Sequence, residues 1–276
     1  ARMHRPAADT FLLHDLIFHQ AGMAADRVAL TYGRESWSYA ELAQAVHGFA
    51  AGLMGLGLAR AQRVGIWLEK RLETVVASFG APAAGGVMVP MNPLLKPEQV
   101  AYIARDCQVR VLVTSPDRLG LLLPVLHECP DLQHIVLTGA GAAAASAPVP
   151  ASMVLHDWTD LISRSPARVH RVVDSDMTAI LYTSGSTGRP KGVVLSHRNM
   201  VAGAKSVASY LENRPGDRLL AALPLSFDAG FSQLTTAFHV GARVVLLNYL
   251  LPRDVLKAVE KEQVTGLTAV PPLYIQ

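Results

Sequence analysis

Apolar runs of strand length alternate with amphipathic segments of helix length along most of the chain. The runs predicted as strands cover residues 28–32, 64–68, 87–89, 110–114, 134–137, 180–183, 193–195, 219–224, 243–247 and 267–270. The segments predicted as helices cover residues 11–19, 39–53, 72–81, 97–107, 119–127, 197–211, 227–239 and 252–263. Strands that alternate with helices of this length form right-handed βαβ units. The pattern therefore predicts an α/β fold with a mainly parallel sheet.

Local signals support two of the predicted helix starts. Ser38 and Glu41 are spaced as a capping box, in which the serine accepts from the third helical N–H and the glutamate reaches back. Ser196 is placed to cap the helix that follows it. The alternation is still running at Gln276, and no predicted element closes the sheet. We therefore expect an incomplete domain.

Composition narrows the class of protein. Half of the 276 residues are hydrophobic, which is enough for a large core and one or two domains. The chain has 25 basic and 22 acidic residues, a net charge of +3. That surplus is too small to indicate a nucleic-acid partner. The two cysteines, Cys107 and Cys129, do not form a disulfide framework, which favours a reducing, cytoplasmic location.

One uncharged stretch, residues 74–95, is long enough to raise the question of a membrane span. It contains three glycines and three prolines, so we interpret it as a buried helix, turn and strand. The first ten residues carry arginines but no continuous apolar core after them, so no signal peptide is expected. The sequence predicts no transmembrane segment.

The most informative stretch is residues 183–192, Thr-Ser-Gly-Ser-Thr-Gly-Arg-Pro-Lys-Gly, which lies between two predicted strands. Its ten residues include three glycines, four hydroxyl side chains and one lysine. Glycine lets backbone N–H groups point at an anion, while hydroxyl and ammonium groups add donors suited to phosphate. The composition predicts a loop that wraps a polyphosphate. The spacing of its glycines fits neither the Walker pattern nor the Rossmann pattern.

This stretch resembles the signature loop of the AMP-forming adenylating enzymes, which include acyl-CoA synthetases, adenylation domains of peptide synthetases, and luciferases. Every fixed position of the signature matches. The resemblance implies that the loop holds the β- and γ-phosphates of ATP, with Mg²⁺ as metal, while a small carboxylic acid attacks the α-phosphorus. It assigns the phosphate contacts to Thr183, Ser184, Gly185, Ser186, Thr187, Gly188 and Lys191.

The resemblance also implies a fold and an acceptor. The fold is the αβα-layered N-terminal domain of these enzymes, with a first subdomain over residues 1–175 and an incomplete second one over 176–276. The acceptor of the activated acid is coenzyme A or a carrier protein. Residues 220–234 look most like acyl-CoA ligases found with exosortase and exopolysaccharide systems, which implies a bacterial cytoplasmic enzyme.

A second candidate is Phe227-Asp228, at the position where the family lines its acyl pocket. Many acyl-CoA synthetases carry Phe-His there, whereas Phe-Asp is closer to domains that activate amino acids. Asp228 could pair with a substrate ammonium group. The alternative interpretation is that Asp228 caps a helix over residues 229–238, with its side chain on a backbone N–H.

Other candidates carry less chemistry. His127, Cys129 and His134 match no standard zinc spacing, and a helix end followed by a strand explains them. His197 could touch a phosphate, but we interpret it as a surface or packing residue. The chain has no Gly-x-Ser-x-Gly elbow, so a serine hydrolase has no support.

The later signatures of the family, its C-terminal lid domain and its catalytic lysine have no counterpart in these residues. We therefore expect little or no ligase activity from the 276-residue chain alone, and acyl-adenylate formed by it would contradict that expectation. Three interpretations of the chain stay open. It could be part of an acid–CoA ligase, or part of an amino-acid-activating domain that loads a carrier protein. It could also be a non-catalytic remnant that at most binds nucleotide.

Overall fold

The computed structural model describes residues 10–139, 147–163, 168–183 and 190–275. The α-helices are α1 (Asp15–Met23), α2 (Tyr39–Gly55), α3 (Leu72–Ala83), α4 (Pro97–Asp106), α5 (Pro116–Leu122), α6 (Trp158–Ile162), α7 (His197–Tyr210), α8 (Asp228–Val240), α9 (Pro252–Glu262) and α10 (Pro271–Ile275). The strands are β1 (Val28–Tyr32), β2 (Glu35–Ser38), β3 (Arg63–Ile66), β4 (Val87–Pro90), β5 (Val109–Thr114), β6 (His134–Leu137), β7 (Val154–Asp157), β8 (Met177–Thr183), β9 (Lys191–Ser196), β10 (Arg218–Ala221), β11 (Arg243–Leu246) and β12 (Gly266–Leu267).

These strands form two sheets, which confirms the α/β fold class. One has the order β7-β6-β5-β3-β4-β8-β9 and the other has the order β12-β10-β11-β1-β2. Each is parallel except at one edge, where β8 pairs with β9 and β1 with β2 in antiparallel fashion. Strands from both sides of residue 175 occur in each sheet. The subdomain boundary at that residue, which stays a prediction, therefore does not coincide with a division between sheets.

One hydrophobic cluster joins the two sheets. It contains residues of β1 and β11 from one sheet, of β3 and β5 from the other, and of α2, α3 and α8. At its centre Phe79 of α3 stacks on Phe231 of α8 at 5.6 Å between ring centroids, and it meets Phe238 edge-on at 5.4 Å. Because the sheets share this core, residues at the ends of their strands can contact one another across it.

Most predicted elements are confirmed, with shifted ends. Both predicted caps occur, since Ser38 and Ser196 accept from the third helical N–H of α2 and α7. The first helix begins at Asp15 rather than at residue 11. The predicted helix over 119–127 is split into α5 and a 3-10 turn, Leu123–Glu128, which has Pro124 near its start. Strand β7 was not predicted, because His156 and Asp157 interrupt its short apolar run.

The uncharged stretch over residues 74–95 forms most of α3, then β4, and most of its side chains are buried. This confirms the interpretation as helix, turn and strand. Among the described helices, none has the length and apolar character needed to cross a bilayer. The cytoplasmic location stays a prediction. The predicted loop over 139–152 lies partly outside the described residues.

Two buried histidines join the start of α1 to the start of α7. The Leu13 N–H donates to Nδ1 of His197 at 3.0 Å, and the rings of His14 and His197 meet edge-on at 5.7 Å. His197 is 1% exposed, which confirms its interpretation as a packing residue. Burial, with a smaller contribution from a neighbouring histidine in each case, lowers the pKa of both rings to about 4. Both are therefore neutral in the folded protein at pH 7.

We expect the fold to lose stability as the pH falls from 6.5 towards 4. Between pH 6.5 and pH 4 the two histidines bind protons in the unfolded chain but stay neutral in the folded protein. Protonation therefore favours the unfolded state, and the free energy of unfolding falls by on the order of 3 kcal/mol per ring. Urea midpoints at pH 7 and pH 4.5 measure this. His14→Leu should reduce the pH dependence, while exposed His127→Gln should not. If the stability of His14→Leu depended on pH as strongly as that of wild type, the burial of neutral His14 would not be a cause of the pH dependence.

Candidate nucleotide and acid site

The predicted phosphate motif, residues 183–192, spans the connection between two antiparallel strands, β8 and β9. Strand β8 leads into it and β9 leads out, with Thr183 opposite Lys191 in the register. The Thr183 hydroxyl donates to the Lys191 carbonyl at 3.5 Å, and both residues are exposed. The hairpin therefore offers the Lys191 ammonium to solvent beside the motif. The predicted contacts of Ser184, Gly185, Ser186, Thr187 and Gly188 lie outside the described residues.

Helix α4 forms hydrogen bonds to β8 and to the residue that precedes β9. The Tyr182 hydroxyl donates to Oδ2 of Asp106 at 2.5 Å, and the Tyr102 hydroxyl donates to the Pro190 carbonyl at 3.4 Å. Burial, followed by the hydrogen bond to Asp106, raises the pKa of Tyr182 well above its usual range. The phenol therefore stays protonated and remains a donor. Sequence reasoning missed these contacts because about 80 residues separate the partners.

We expect Tyr182→Phe to raise the KM for ATP about three- to tenfold. The lost bond to the carboxylate is solvent-accessible, so its effect belongs at the low end of charge-assisted hydrogen bonds. The KM for the acid should change less. Exposed Tyr274→Phe, which also removes a hydroxyl donor but lies outside the hairpin and the cavity lining, is the matched control. Equal kinetics for Tyr182→Phe and wild type would show that this contact does not shape the nucleotide site.

The second candidate lies at the start of α8. This helix begins at Asp228, its N-cap residue is Phe227, and no side-chain hydrogen bond caps it. The interpretation of Asp228 as a capping residue is therefore wrong. Its carboxylate is exposed and belongs to the first helical turn, where the helix dipole favours negative charge.

Asp228 lines a cavity of about 420 Å³ between α7, α8 and the short strand β12. Ser232 and Gln233 of α8, Tyr210 of α7 and Thr268 after β12 also line it. On its other side, Asp228 borders a groove of about 240 Å³ between α7 and α8. Helix α7 begins directly after β9, so it connects the phosphate hairpin to the wall of this cavity.

Metal chemistry finds little support in the described residues. Within them, no group of three or more His, Cys, Asp or Glu side chains is arranged to hold a metal ion. Cys129 is buried and its Sγ contacts the Ala101 carbonyl, while His134 lies 3.1 Å from His156 between ring nitrogens. Mg²⁺ is usually bound by one or two carboxylates together with the phosphates of the substrate, so the Mg²⁺ that the resemblance implies stays a prediction and we derive no step through it.

The class of protein follows from comparison with known sequences. The sequence pattern of the AMP-binding enzymes matches residues 17–276, and the chain belongs to this family. It is therefore an N-terminal portion of an adenylate-forming enzyme, as the signature loop indicates.

Relatives with two kinds of acceptor match the chain. It is 32% identical over 256 residues to 4-hydroxybutyrate–CoA ligase 2 of Metallosphaera sedula, covering 91% of this chain and 46% of the relative. It is 30% identical over 243 residues to L-proline–[L-prolyl-carrier protein] ligase of Pseudomonas fluorescens, covering 86% of this chain and 45% of the relative. The chain thus spans under half the length of either.

Among solved structures, the anthranilate CoA ligase AuaEII in complex with anthranoyl-AMP superimposes with a TM-score of 0.86 at 26% identity. The match covers 98% of this chain and 52% of that one. The two sheets and their shared core therefore correspond to a fold that binds an acyl-adenylate in a relative.

Proposed function

We propose that the chain forms part of an AMP-forming acid–CoA ligase and supplies its contacts to the phosphates of ATP. The observation that carries this proposal is the complete signature motif over residues 183–192, whose first and last residues, Thr183 and Gly192, belong to the paired strands β8 and β9. The ammonium of Lys191, exposed at the base of the motif, is suited to balancing phosphate charge.

The proposed reaction has two steps. A carboxylate oxygen of the acid attacks the α-phosphorus of ATP, the bond from that phosphorus to the bridging oxygen breaks, and pyrophosphate leaves. The thiol sulfur of coenzyme A then attacks the acyl carbon, AMP leaves with the electron pair of the acyl–oxygen bond, and the thiol proton goes to base. In the first step negative charge moves onto the departing pyrophosphate, and preorganised donors stabilise it.

The acid would occupy the cavity beside Asp228. A volume of about 420 Å³ and a lining of both apolar and polar side chains suit a small carboxylic acid. The CoA ligase of Metallosphaera sedula and the ligase bound to anthranoyl-AMP both act on small acids by name, which supports this substrate class.

One observation favours an alternative, an amino acid as substrate and a carrier protein as acceptor. The Asp228 carboxylate faces the cavity region without a cap contact, so it is available to pair with a substrate ammonium group. The prolyl-carrier protein ligase that matches the chain supports this alternative.

Substrate panels with Asp228 variants distinguish a CoA ligase of simple acids from an amino-acid-activating enzyme. The longest natural form of the protein is given ATP, hydroxylamine as trap, and either simple acids or amino acids, and the hydroxamates are measured. For a CoA ligase of simple acids, Asp228→Ala and Asp228→Asn should keep the wild-type preference. For an amino-acid enzyme, both variants should lose amino-acid activation by about 100-fold. Failure of every acid to give a hydroxamate would overturn both forms of the proposal.

A further inference from the structure

Lys70 lies where the ends of strands from both sheets meet. It follows β3 of one sheet, and its Nζ reaches across to the segment after β10 of the other. There it donates to the Ala222 carbonyl at 2.8 Å and to the Leu223 carbonyl at 3.4 Å. Both residues are buried. Within the described part of the chain, the Lys70 ammonium is the hydrogen-bond donor to the Ala222 carbonyl and to the Leu223 carbonyl.

The backbone of Lys70 is fixed by a third loop. Asn248, which follows β11, accepts from the Lys70 N–H at 3.2 Å and donates to the Lys70 carbonyl at 2.7 Å. Since both peptide groups of the lysine are held, its side chain leaves the loop from a defined point. Lys70 and Asn248 also line a small cavity of about 50 Å³ with Pro224 and Ser226.

The chemistry of this position is unusual for a lysine. Its two hydrogen bonds go to neutral carbonyls, and burial lowers the pKa of the ammonium to about 8. Lys70 is half-buried, and no carboxylate among the described residues forms an ion pair with its ammonium, so part of the cost of desolvating this charge is not offset. The ammonium therefore satisfies the two carbonyls at a cost in its own desolvation, and it fixes the position of residues 222–223.

The segment that Lys70 holds is packed directly against α8. A Cβ added at Gly230 would lie 1.7 Å from the Pro224 carbonyl oxygen, so the first turn of α8 and this carbonyl are in close contact. Asp228, in the same turn, lines the 420 Å³ cavity. A shift of the Ala222 and Leu223 peptides would move the adjoining Pro224. Because Pro224 contacts the first turn of α8, the part of the cavity wall that contains Asp228 would move with it.

We propose that Lys70 is a positioning residue for the acid pocket, which it serves by anchoring the segment that sets the start of α8. The proposal rests on the proposed function in naming the cavity as the acid site. It extends that function by making a loop of the other sheet responsible for the shape of the pocket. Lys70 itself is not among the residues that line the 420 Å³ cavity.

The experiment compares Lys70→Met, which keeps the length but removes the donor, with Lys70→Arg, which keeps a cation. Lys257→Met, on the exposed surface of α9, is the control. In the longest natural form, Lys70→Met should raise the KM for the acid about tenfold and leave the KM for ATP within twofold. Lys70→Arg should restore most of the wild-type value.

Amide hydrogen exchange provides a readout independent of activity. In Lys70→Met, exchange over residues 225–232 should rise at least tenfold, while exchange in α2 should not change. Unchanged exchange over 225–232 would overturn the proposal. A rise throughout the chain with equal changes in both KM values would also overturn it, because the lysine would then be a general stabiliser. If wild type activates no acid but the local rise occurs, the positioning role stands and the proposed function fails.

Discussion

Gly230→Ala is expected to unfold the protein or displace the start of α8. The added methyl group would lie 1.7 Å from the Pro224 carbonyl oxygen and 2.7 Å from its carbonyl carbon. Both atoms are backbone, so no side-chain rotation relieves the overlap. Overpacking of a core by a methylene costs about 1–3 kcal/mol, and a clash with backbone belongs at or above the upper end. The free energy of unfolding should fall by about 3 kcal/mol or more.

The matched control is Gly203→Ala. Gly203 lies inside α7, and a Cβ built there has no atom within 4 Å outside its own neighbourhood. Alanine favours the helix over glycine by about 1 kcal/mol, so this variant should be slightly more stable than wild type. Thermal and urea unfolding of both variants measure the contrast. Similar stability of the two would contradict the close packing of α8 on Pro224.

Lys191→Ala is expected to reduce adenylate formation about 10²- to 10³-fold. If Lys191 balances charge that moves onto pyrophosphate, its removal should cost about 2.7–4 kcal/mol of transition-state stabilisation. The same change should leave the melting temperature nearly unaltered, because Lys191 is exposed at the start of β9. The rate should fall without a matching fall in stability.

Lys257→Ala serves as the control for Lys191→Ala, since it removes an exposed lysine of α9 distant in sequence from the motif. Its rate should equal that of wild type. Lys191→Arg should recover part of the activity, because the charge is kept while its shape changes. Wild-type rates in Lys191→Ala would remove this lysine from the phosphate site.

Local features of the fold could be predicted from the sequence. The strand over residues 28–32 and the caps at Ser38 and Ser196 depend on side chains within a few positions of one another. The division of the strands into two sheets could not be predicted in this way. Pairing of β1 with β11 brings together segments more than 200 residues apart, and strand patterns alone do not specify partners.

In the candidate site, too, the residues with local sequence signals could be predicted and those that act through long-range contacts could not. The motif over 183–192 and Asp228 were found because their residue types are informative in their immediate sequence. Lys70, Asp106 and Gly230 carry no such signal. Their roles arise from contacts across the core, as when the Lys70 ammonium reaches the Ala222 carbonyl 152 positions away. The capping interpretation began the helix at residue 229, one residue after its observed start, so Asp228 is a first-turn residue rather than a cap.

Acid-dependent exchange of labelled pyrophosphate into ATP tests whether the protein forms an acyl-adenylate. The longest natural form of the protein is incubated with ATP, labelled pyrophosphate and a panel of small carboxylic and amino acids. We predict that label enters ATP only when a suitable acid is present, and that Lys191→Ala lowers this exchange at least 100-fold. No acid-dependent exchange with any member of a broad panel would contradict an adenylate-forming role.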